Sequence, residues 1–393
     1  MKEKKVFLKK DKERFVLQNN HPWIFSGAID RFSEDLAPGE LASLYSSQGQ
    51  FLALAYFHKE NSLCGRILSY EKKPIKEVLQ EKISAAFSLR KALVFKEGTN
   101  SFRLVNAEED GLPGLIVDYY DGVIVLQINT CGMEKLKDLI LELLVLILSP
   151  RSIYEKSNSS SRLQEGLPKT EGFLYGEEIS EVVVLENGVF FSVSIEDGQK
   201  TGFFLDQREM RKKIGQLSEG KKVLNCFSYS GGFSLYALAG GASHVVSVDT
   251  CPKAVELASK NTLLNGFSLE NHEIVQEDVF AYLQNRDLSI FDIIILDPPA
   301  FAKKRQDIEP ASRGYRQIAE SVFRSCKKGA IVLTCSCSYF IDETLFKQIV
   351  FQAASSAKRD VKILSKHLHA MDHPVSLYHP EGDYLKSFLL WIS

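Results

Sequence analysis

From residue 223 onward, short apolar runs rich in β-branched residues recur at 223–227, 244–249, 273–276, 292–297 and 330–335, and the stretches between them have helical spacing. Runs that are apolar at consecutive positions are buried on both faces, which in a sheet means parallel strands covered by helices on either side. A solvent-faced antiparallel sheet is thereby excluded for this region, and a doubly wound α/β fold is expected. In such an open sheet ligands bind outside the carboxyl ends of the strands, where strand order reverses. The residues at the strand ends therefore carry the chemical information.

The first strand runs into Asn225-Cys226-Phe227-Ser228-Tyr229-Ser230-Gly231-Gly232, a small-residue turn ahead of a helix at 233–239. Glycine there lets a ligand approach the backbone closely, but the pattern is not the GxGxxG fingerprint that seats a pyrophosphate. The second strand ends in Asp249, 24 residues after Asn225, where a nucleoside-binding sheet places an acid for the ribose hydroxyls. Asp278 follows the third strand, and Asp297-Pro298-Pro299 ends the fourth. Any one of these aspartates also suits a helix cap. A carboxylate behind each of three successive strands, with a Gly-rich loop on the first, points to a bound ligand.

With 393 residues the chain exceeds what one core supports, so several domains are expected. Residues 1–70 alternate short apolar runs with turns such as Ala37-Pro38-Gly39-Glu40 and read as a small all-β domain. Residues 71–185 read as an α+β domain, with helices at 73–96 and 133–149, strands at 102–106, 115–119, 123–129 and 152–156, and a turn at Asp121-Gly122. The polar stretch from Asn158 to Arg162 reads as a surface loop. Residues 186–393 form the third, α/β domain. The 48 basic against 50 acidic residues leave a formal charge of −2, so no whole-molecule basic field declares a nucleic-acid partner. Basic residues do gather locally: residues 1–20 hold seven Lys or Arg, Lys2 among them, against three acids. Seven cysteines without a CxxC pair fit a reducing, cytoplasmic compartment. The charged N-terminus lacks the apolar segment of a signal peptide, and the longest apolar run, 139–148, is interrupted by Glu142 and too short to span a bilayer.

Loop 225–234, Asp249, Asp278 and residues 297–299 have the order and spacing of the class I S-adenosylmethionine-dependent methyltransferases, which this region resembles. HPWIFSGAI at 21–29, EDGLPGLIVD at 109–118, QKTGFFLDQR at 199–208, DHPV at 372–375 and YLK at 384–386 narrow the resemblance. Over essentially its whole length the chain looks like the PUA-containing methyltransferases of large-subunit (23S) ribosomal RNA that act on cytosine C5. That resemblance implies an N-terminal PUA RNA-binding domain, a central α+β domain and a Rossmann-like methyltransferase domain closed by an antiparallel hairpin at 385–392. It also implies S-adenosylmethionine as cofactor. Asn225, Phe227, Ser228, Ser230 and Gly231 would face its methionine part, Asp249 the ribose, and Asp278 with Val279 the adenine. Phe203, Asp206, Gln207 and Arg208 would line the approach to the same pocket, and Asp297 with Pro298 its border.

Two thiols, Cys335 and Cys337, stand in Thr334-Cys335-Ser336-Cys337-Ser338 at the end of the fifth strand, beside the strand that ends in Asp297. Carbon 5 of a pyrimidine becomes nucleophilic once a thiolate has added to C6, and cysteine suits this as both nucleophile and leaving group. Asp297 would then hydrogen-bond or protonate the cytosine edge. The family motif SerCysSer falls on residues 336–338, which favours Cys337, with Cys335 the second candidate; both also suit buried strand positions. Two other readings stay open. Asp297-Pro298-Pro299-Ala300-Phe301 is similar to the signature of enzymes that methylate an amino group, and the asparagine-phenylalanine loop is shared with guanine-N7 methyltransferases. A non-catalytic RNA-binding assembly factor is the third.

Residues 302–318 hold five basic residues, Lys303, Lys304, Arg305, Arg313 and Arg316, against two acids, with Tyr315 interleaved. Such a segment suits phosphate contacts with an aromatic stacked on an unpaired base. His367, His369, His373 and His379 have no zinc-site spacing, and no metal is expected. The implied partner is large-subunit ribosomal RNA. A membrane is not expected, and a homodimer is left open.

Overall fold

The computed structural model of the chain describes residues 3–96 and 98–393, apart from the side chains of Phe15 and Leu17; Lys2 of the basic N-terminal cluster lies outside these residues. Two compact units result. The first comprises Met1–Val184, Val193–Leu205 and Met371–Gly382, and the second comprises Leu185–Ser192, Asp206–Ala370 and Asp383–Ser393.

The first unit opens with a six-stranded sheet. Its strands are β1 (Lys5–Leu8), β2 (Trp23–Phe25), β3 (Ile29–Phe32), β4 (Glu40–Tyr45), β5 (Phe51–Phe57) and β6 (Leu63–Ser69), in the order β2-β6-β5-β4-β1-β3. Helix α1 (Glu13–Asn19) follows β1; of the basic N-terminal cluster Lys5 lies in β1 and Arg14 in α1, and Lys4 is bonded to Glu40 at 2.6 Å. Val6, Leu8, Leu44, Ala53 and Phe57 fill the core of this sheet.

A second core follows. Helix α2 (Ile75–Leu93) precedes β7 (Ser101–Asn106), β8 (Leu115–Tyr120), β9 (Val123–Ile128), α3 (Cys131–Lys135), α4 (Lys137–Leu148), β10 (Ser152–Ser157), α5 (Ser160–Gln164) and β11 (Thr170–Gly176). The strands form a sheet in the order β11-β10-β9-β8-β7, against which α2 and α4 bury Leu79, Ile83, Ile140 and Leu143. The single helix expected over 133–149 is two, broken at Leu136. The stretch from Asn158 to Arg162 also differs from expectation. Ser159 caps α5 by accepting from the Arg162 amide, and the Arg162 guanidinium is buried, bonded to the carbonyls of Ile128 and Pro168 and to Glu134. Ser160 and Ser161 are exposed, so the segment does lie at the surface; what differs is its helical form and an arginine whose donors are satisfied inside the fold. A hairpin of β12 (Glu181–Glu186) and β13 (Val189–Ser194) turns at Asn187-Gly188, both at positive φ, as a two-residue hairpin loop requires.

The second unit holds α6 (Arg208–Leu217), β14 (Lys222–Cys226), α7 (Gly232–Ala239), β15 (His244–Asp249), α8 (Pro252–Leu264), β16 (His272–Gln276), α9 (Val279–Asn285) and β17 (Ile293–Leu296). Helix α10 (Ile308–Ser325), β18 (Ile331–Ser336), α11 (Glu343–Ala357), β19 (Val361–His367) and β20 (Lys386–Ile392) complete it. The sheet order is β16-β15-β14-β17-β18-β20-β19; the first five strands are parallel, and β20 runs antiparallel to both neighbours. This is the expected doubly wound sheet with a closing hairpin. Leu224, Val246, Ile294, Val332, Phe323 and Phe346 lie in its core. Among the described residues no helix is long and apolar enough to cross a membrane.

Candidate active site

Successive strands run outward from β14 to β15 and β16, and the chain then returns to β17 on the other side of β14. The order therefore reverses between β14 and β17, and in an open sheet the carboxyl ends at such a point are where a ligand binds. Register pairs Cys226 with Leu296 and Leu296 with Thr334, so Phe227 and Asp297 follow side by side at the rim, next to Cys335 inside β18.

The loop after β14 is wound tightly. Phe227, Tyr229 and Gly231 all have positive φ, at 58°, 45° and 78°. Non-glycine residues in this region store strain of about 1 kcal/mol or more each, and such outliers cluster at ligand sites. The Ser228 amide donates to the Val248 carbonyl at 3.1 Å, and Asn261 Nδ2 donates to the Ser230 carbonyl at 3.0 Å, which hold the strained loop. A side chain at Gly231 would also stand 3.3 Å from Ala258 Cβ. Three buried polar atoms at this rim, Asn225 Oδ1, Ser228 Oγ and Gln207 Oε1, have no hydrogen-bond partner among the described residues. Buried acceptors left so are costly, and their grouping marks where a ligand supplies donors.

Behind the loop Asn225 Nδ2 donates to Ser234 Oγ at 2.9 Å, Ser234 meets Ser247 at 2.6 Å, and Ser247 meets His272 Nε2 at 2.7 Å. Thr262 closes this chain on His272 Nδ1 at 2.7 Å. Burial holds the His272 imidazole down to about 4, with His244 adding to the effect, so the network is neutral at pH 7 and fixes the Asn225 amide. No motif in the sequence points to it; its members lie on several elements and meet only in the fold.

The strand-end acids are differently engaged. Asp249 accepts from the amides of Tyr229 at 2.9 Å and Cys251 at 3.0 Å and is half-buried, which orients it beside the loop. Asp278 is exposed and caps α9 through the Ala281 amide at 3.0 Å. The Val279 side chain is in the core, so any ligand contact it makes is through its backbone.

Of the segment before α6, Phe203 is buried and groups with the first unit. Asp206 accepts from the Tyr384 hydroxyl at 2.6 Å, and Gln207 Nε2 donates to Asp297 Oδ1 at 3.2 Å. Arg208 is buried and paired with Glu186 at 3.3 Å, a carboxylate that Arg211 also holds at 2.7 Å, so it anchors α6.

The two thiols separate clearly. Cys335 is fully buried, and burial, then the Asp297 charge, push its thiol well above the ordinary range. A protonated thiol without access is no nucleophile, so Cys335 is corrected to a core residue. Cys337 is half-buried at the rim with Sγ 3.8 Å from the Pro298 carbonyl oxygen. Ser338 pins its turn: the Ala302 amide donates to Ser338 Oγ at 3.1 Å, Tyr315 OH meets the same oxygen at 2.9 Å, and Lys386 Nζ donates to the Ser338 carbonyl at 2.8 Å. Tyr315 is a second correction. Its ring is buried against Phe301 at 4.7 Å and Phe346 at 5.6 Å, on the inward face of α10, so it supports the Cys337 turn and offers no surface for a base.

Lys303, Lys304, Arg305, Arg313 and Arg316 are exposed. Asp307 accepts from the amides of Lys303 and Lys304 and holds the loop next to Asp297-Pro298-Pro299. Arg313 and Arg316 lie on α10 and make intrahelical pairs with Glu309 at 2.6 Å and Glu320 at 3.7 Å. Among the described residues no group of three or more His, Cys, Asp or Glu is placed to hold a metal ion.

Comparison with known proteins agrees with this geometry. Residues 111–359 match the S-adenosylmethionine-dependent methyltransferase family, and residues 6–70 match a PUA-like domain. The ribosomal RNA large subunit methyltransferase I of Aliivibrio fischeri is 40% identical over 388 residues, 98% of each chain. That of Photobacterium profundum is 39% identical over 393 residues, covering 98% of this chain and 99% of its own. Among solved structures, a SAM-dependent methyltransferase assignment from Streptococcus mutans superposes with a TM-score of 0.82 at 25% identity, over 98% of this chain and 99% of that one. A methyltransferase assignment solved complexed with SAH superposes with a TM-score of 0.84 at 25% identity over the whole of both chains. A strained loop, three strand-end acids and a rim thiol on a doubly wound sheet, together with these matches, place the chain in the ribosomal RNA large subunit methyltransferase I family of S-adenosylmethionine-dependent, PUA-containing methyltransferases.

Proposed function

We propose that the chain methylates C5 of a cytosine in large-subunit ribosomal RNA through a covalent adduct, with Cys337 as the nucleophile and Asp297 as the group that meets the base edge. The observation that carries this reading is the half-buried Cys337 thiol, set 3.8 Å from the carbonyl that follows Asp297, next to a second thiol that is sealed in the core.

When bound, S-adenosylmethionine supplies an electrophilic methyl group. The residues present fit it: Asn225 Oδ1, Ser228 Oγ and Gln207 Oε1 are buried acceptors, and Gly231, at positive φ and with Ala258 filling its side-chain space, presents bare backbone to a ligand. Asn225, Ser228, Ser230 and Gly231 would hold its methionine part, Asp249 its ribose, and Asp278 with the Val279 backbone its adenine. Toward the RNA, Cys337 Sγ as thiolate adds to cytosine C6. The electron pair of the C5=C6 bond moves onto the ring, and Asp297, oriented by Gln207 and carrying its carboxyl proton, donates that proton toward N3 as the negative charge grows. After C5 is methylated, a water molecule takes its proton, the C5–H electron pair re-forms the C5=C6 double bond, the C6–S bond breaks and the thiolate is released. Phe301 is half-buried with its ring on Tyr315 at 4.7 Å and Phe280 at 6.3 Å, packing that commits it to the fold and favours the thiol chemistry over amino-group methylation.

Lys303, Lys304, Arg305, Arg313 and Arg316 support the reading as phosphate contacts beside the site. Nucleoside mass spectrometry of 23S RNA incubated with the protein and labelled S-adenosylmethionine tests it. Label in 5-methylcytidine is expected; label in a methylated purine would sink the cytosine assignment.

A further inference from the structure

The turn that carries Cys337 is fixed from the last segment of the sheet. Lys386 is only 2% exposed, stands opposite Ser336 in the β18–β20 register, and donates from Nζ to the carbonyls of Ser338 at 2.8 Å and Tyr384 at 2.7 Å. A buried ammonium is costly unless an anion balances it, and two neutral carbonyls do not. The charged or titratable groups that act on it are Asp383, Cys337 and Asp342. Asp383 is exposed, and Asp342 is committed to capping α11 through the Leu345 amide at 2.8 Å. Cys337 is the group one residue from the Ser338 carbonyl that Lys386 grips. Burial brings the Lys386 ammonium down to about 8, so it is charged at pH 7.

We propose that Lys386 is the positioning residue for Cys337: its ammonium holds negative charge on Cys337 Sγ, and its bond to the Ser338 carbonyl aims the turn on which the thiol sits. The proposal rests on the reading of Cys337 as nucleophile. No bond to Lys386 forms or breaks; the thiol proton leaves to solvent and the ammonium stays protonated beside the thiolate. None of the implied cofactor or base-binding roles involves this residue.

The rate of iodoacetamide alkylation at Cys337, followed against pH in the full-length protein without RNA or cofactor, tests this directly. Fragment-ion mass spectrometry distinguishes Cys337 from Cys335. In the wild type the half-maximal rate is expected below the ordinary thiol value of about 8.5. Lys386→Gln, which keeps a neutral donor, is expected to move that midpoint upward and to slow alkylation at pH 7 about tenfold. Lys386→Arg, which keeps the charge, is expected to stay within about twofold of the wild type, since a guanidinium remains protonated throughout. A purely structural lysine would leave the Lys386→Gln midpoint unmoved, and that result would overturn the proposal. A wild-type midpoint at or above about 8.5 would overturn it too, and needs no variant to fold. Methyl transfer that survives Cys337→Ala would instead overturn the nucleophile reading while leaving the alkylation result intact, so the two failures are separate.

Discussion

Gln207 Nε2 donates to Asp297 Oδ1 across 3.2 Å, joining the cap of α6 to the residue that ends β17. The Oε1 of the same amide is buried without a hydrogen-bond partner among the described residues. Asp297 is set in place by the Nε2 bond before any base arrives. Gln207→Leu keeps the bulk and removes the bond. A hydrogen bond worth about 1.4 kcal/mol in the transition state predicts a kcat about tenfold lower. Steady-state kinetics with the melting temperature as control would check it; an unchanged kcat would show that Asp297 is held by other contacts.

Gly231→Ala places a β-carbon at φ 78° and 3.3 Å from Ala258 Cβ. The left-handed conformation alone costs an L-residue about 1–2 kcal/mol. The urea midpoint is expected to fall, and calorimetry is expected to show S-adenosylmethionine binding weakened about tenfold or more, since the loop relaxes away from the strained form.

His272 gives the fold an acid sensitivity of known sign. Its imidazole titrates at about 4 in the folded chain against 6.5 ordinarily. Between these values the unfolded chain takes up a proton that the folded chain refuses, so stability is lost as pH falls through this window and is unaffected above it. The loss is about 2 kcal/mol at pH 5. Urea unfolding at pH 7.5 and pH 5 should show this difference in the wild type and a smaller one in His272→Gln. An equal pH dependence in both would assign the sensitivity to other groups.

Replacing Lys303, Lys304 and Arg305 together by Ala is expected to weaken RNA binding and flatten its salt dependence. Three lost phosphate contacts reduce the slope of log K against log salt by about 2. Binding of S-adenosylmethionine, measured in parallel, should not change, because these side chains are exposed and on the far side of Asp297-Pro298-Pro299 in the sequence.

The parallel sheet and its strand-end residues are legible in the sequence because consecutive apolar residues and strand-end acids are local signals. Asp249, Asp278 and Asp297 fall at the strand ends where their spacing places them. Tyr315 reads as a surface aromatic only while its basic neighbours are weighed alone. Ala311, Ile318, Ala319 and Val322, all buried, carry the helical spacing that turns it inward. Cys335 and Cys337 share the parity that puts strand residues on one face, and only the end of β18 at Ser336 separates a sealed thiol from a rim thiol. Arg162 and Lys386 are opaque for one shared reason. Their partners are mostly backbone carbonyls, at Ile128 and Pro168 for the first and Ser338 and Tyr384 for the second, and a carbonyl leaves no trace in residue identity.

The covalent step is tested most directly by trapping. In RNA with 5-fluorocytidine in place of cytidine, the C5 fluorine cannot leave as a proton does, so a thiolate adduct at C6 persists after methylation. Digestion and mass spectrometry of the trapped complex are predicted to find the methylated nucleotide on the peptide that contains Cys337, attached at Cys337 itself, and to find none with Cys337→Ala. An adduct on Cys335, or full methylation of ordinary RNA by Cys337→Ala without any adduct, would contradict the account.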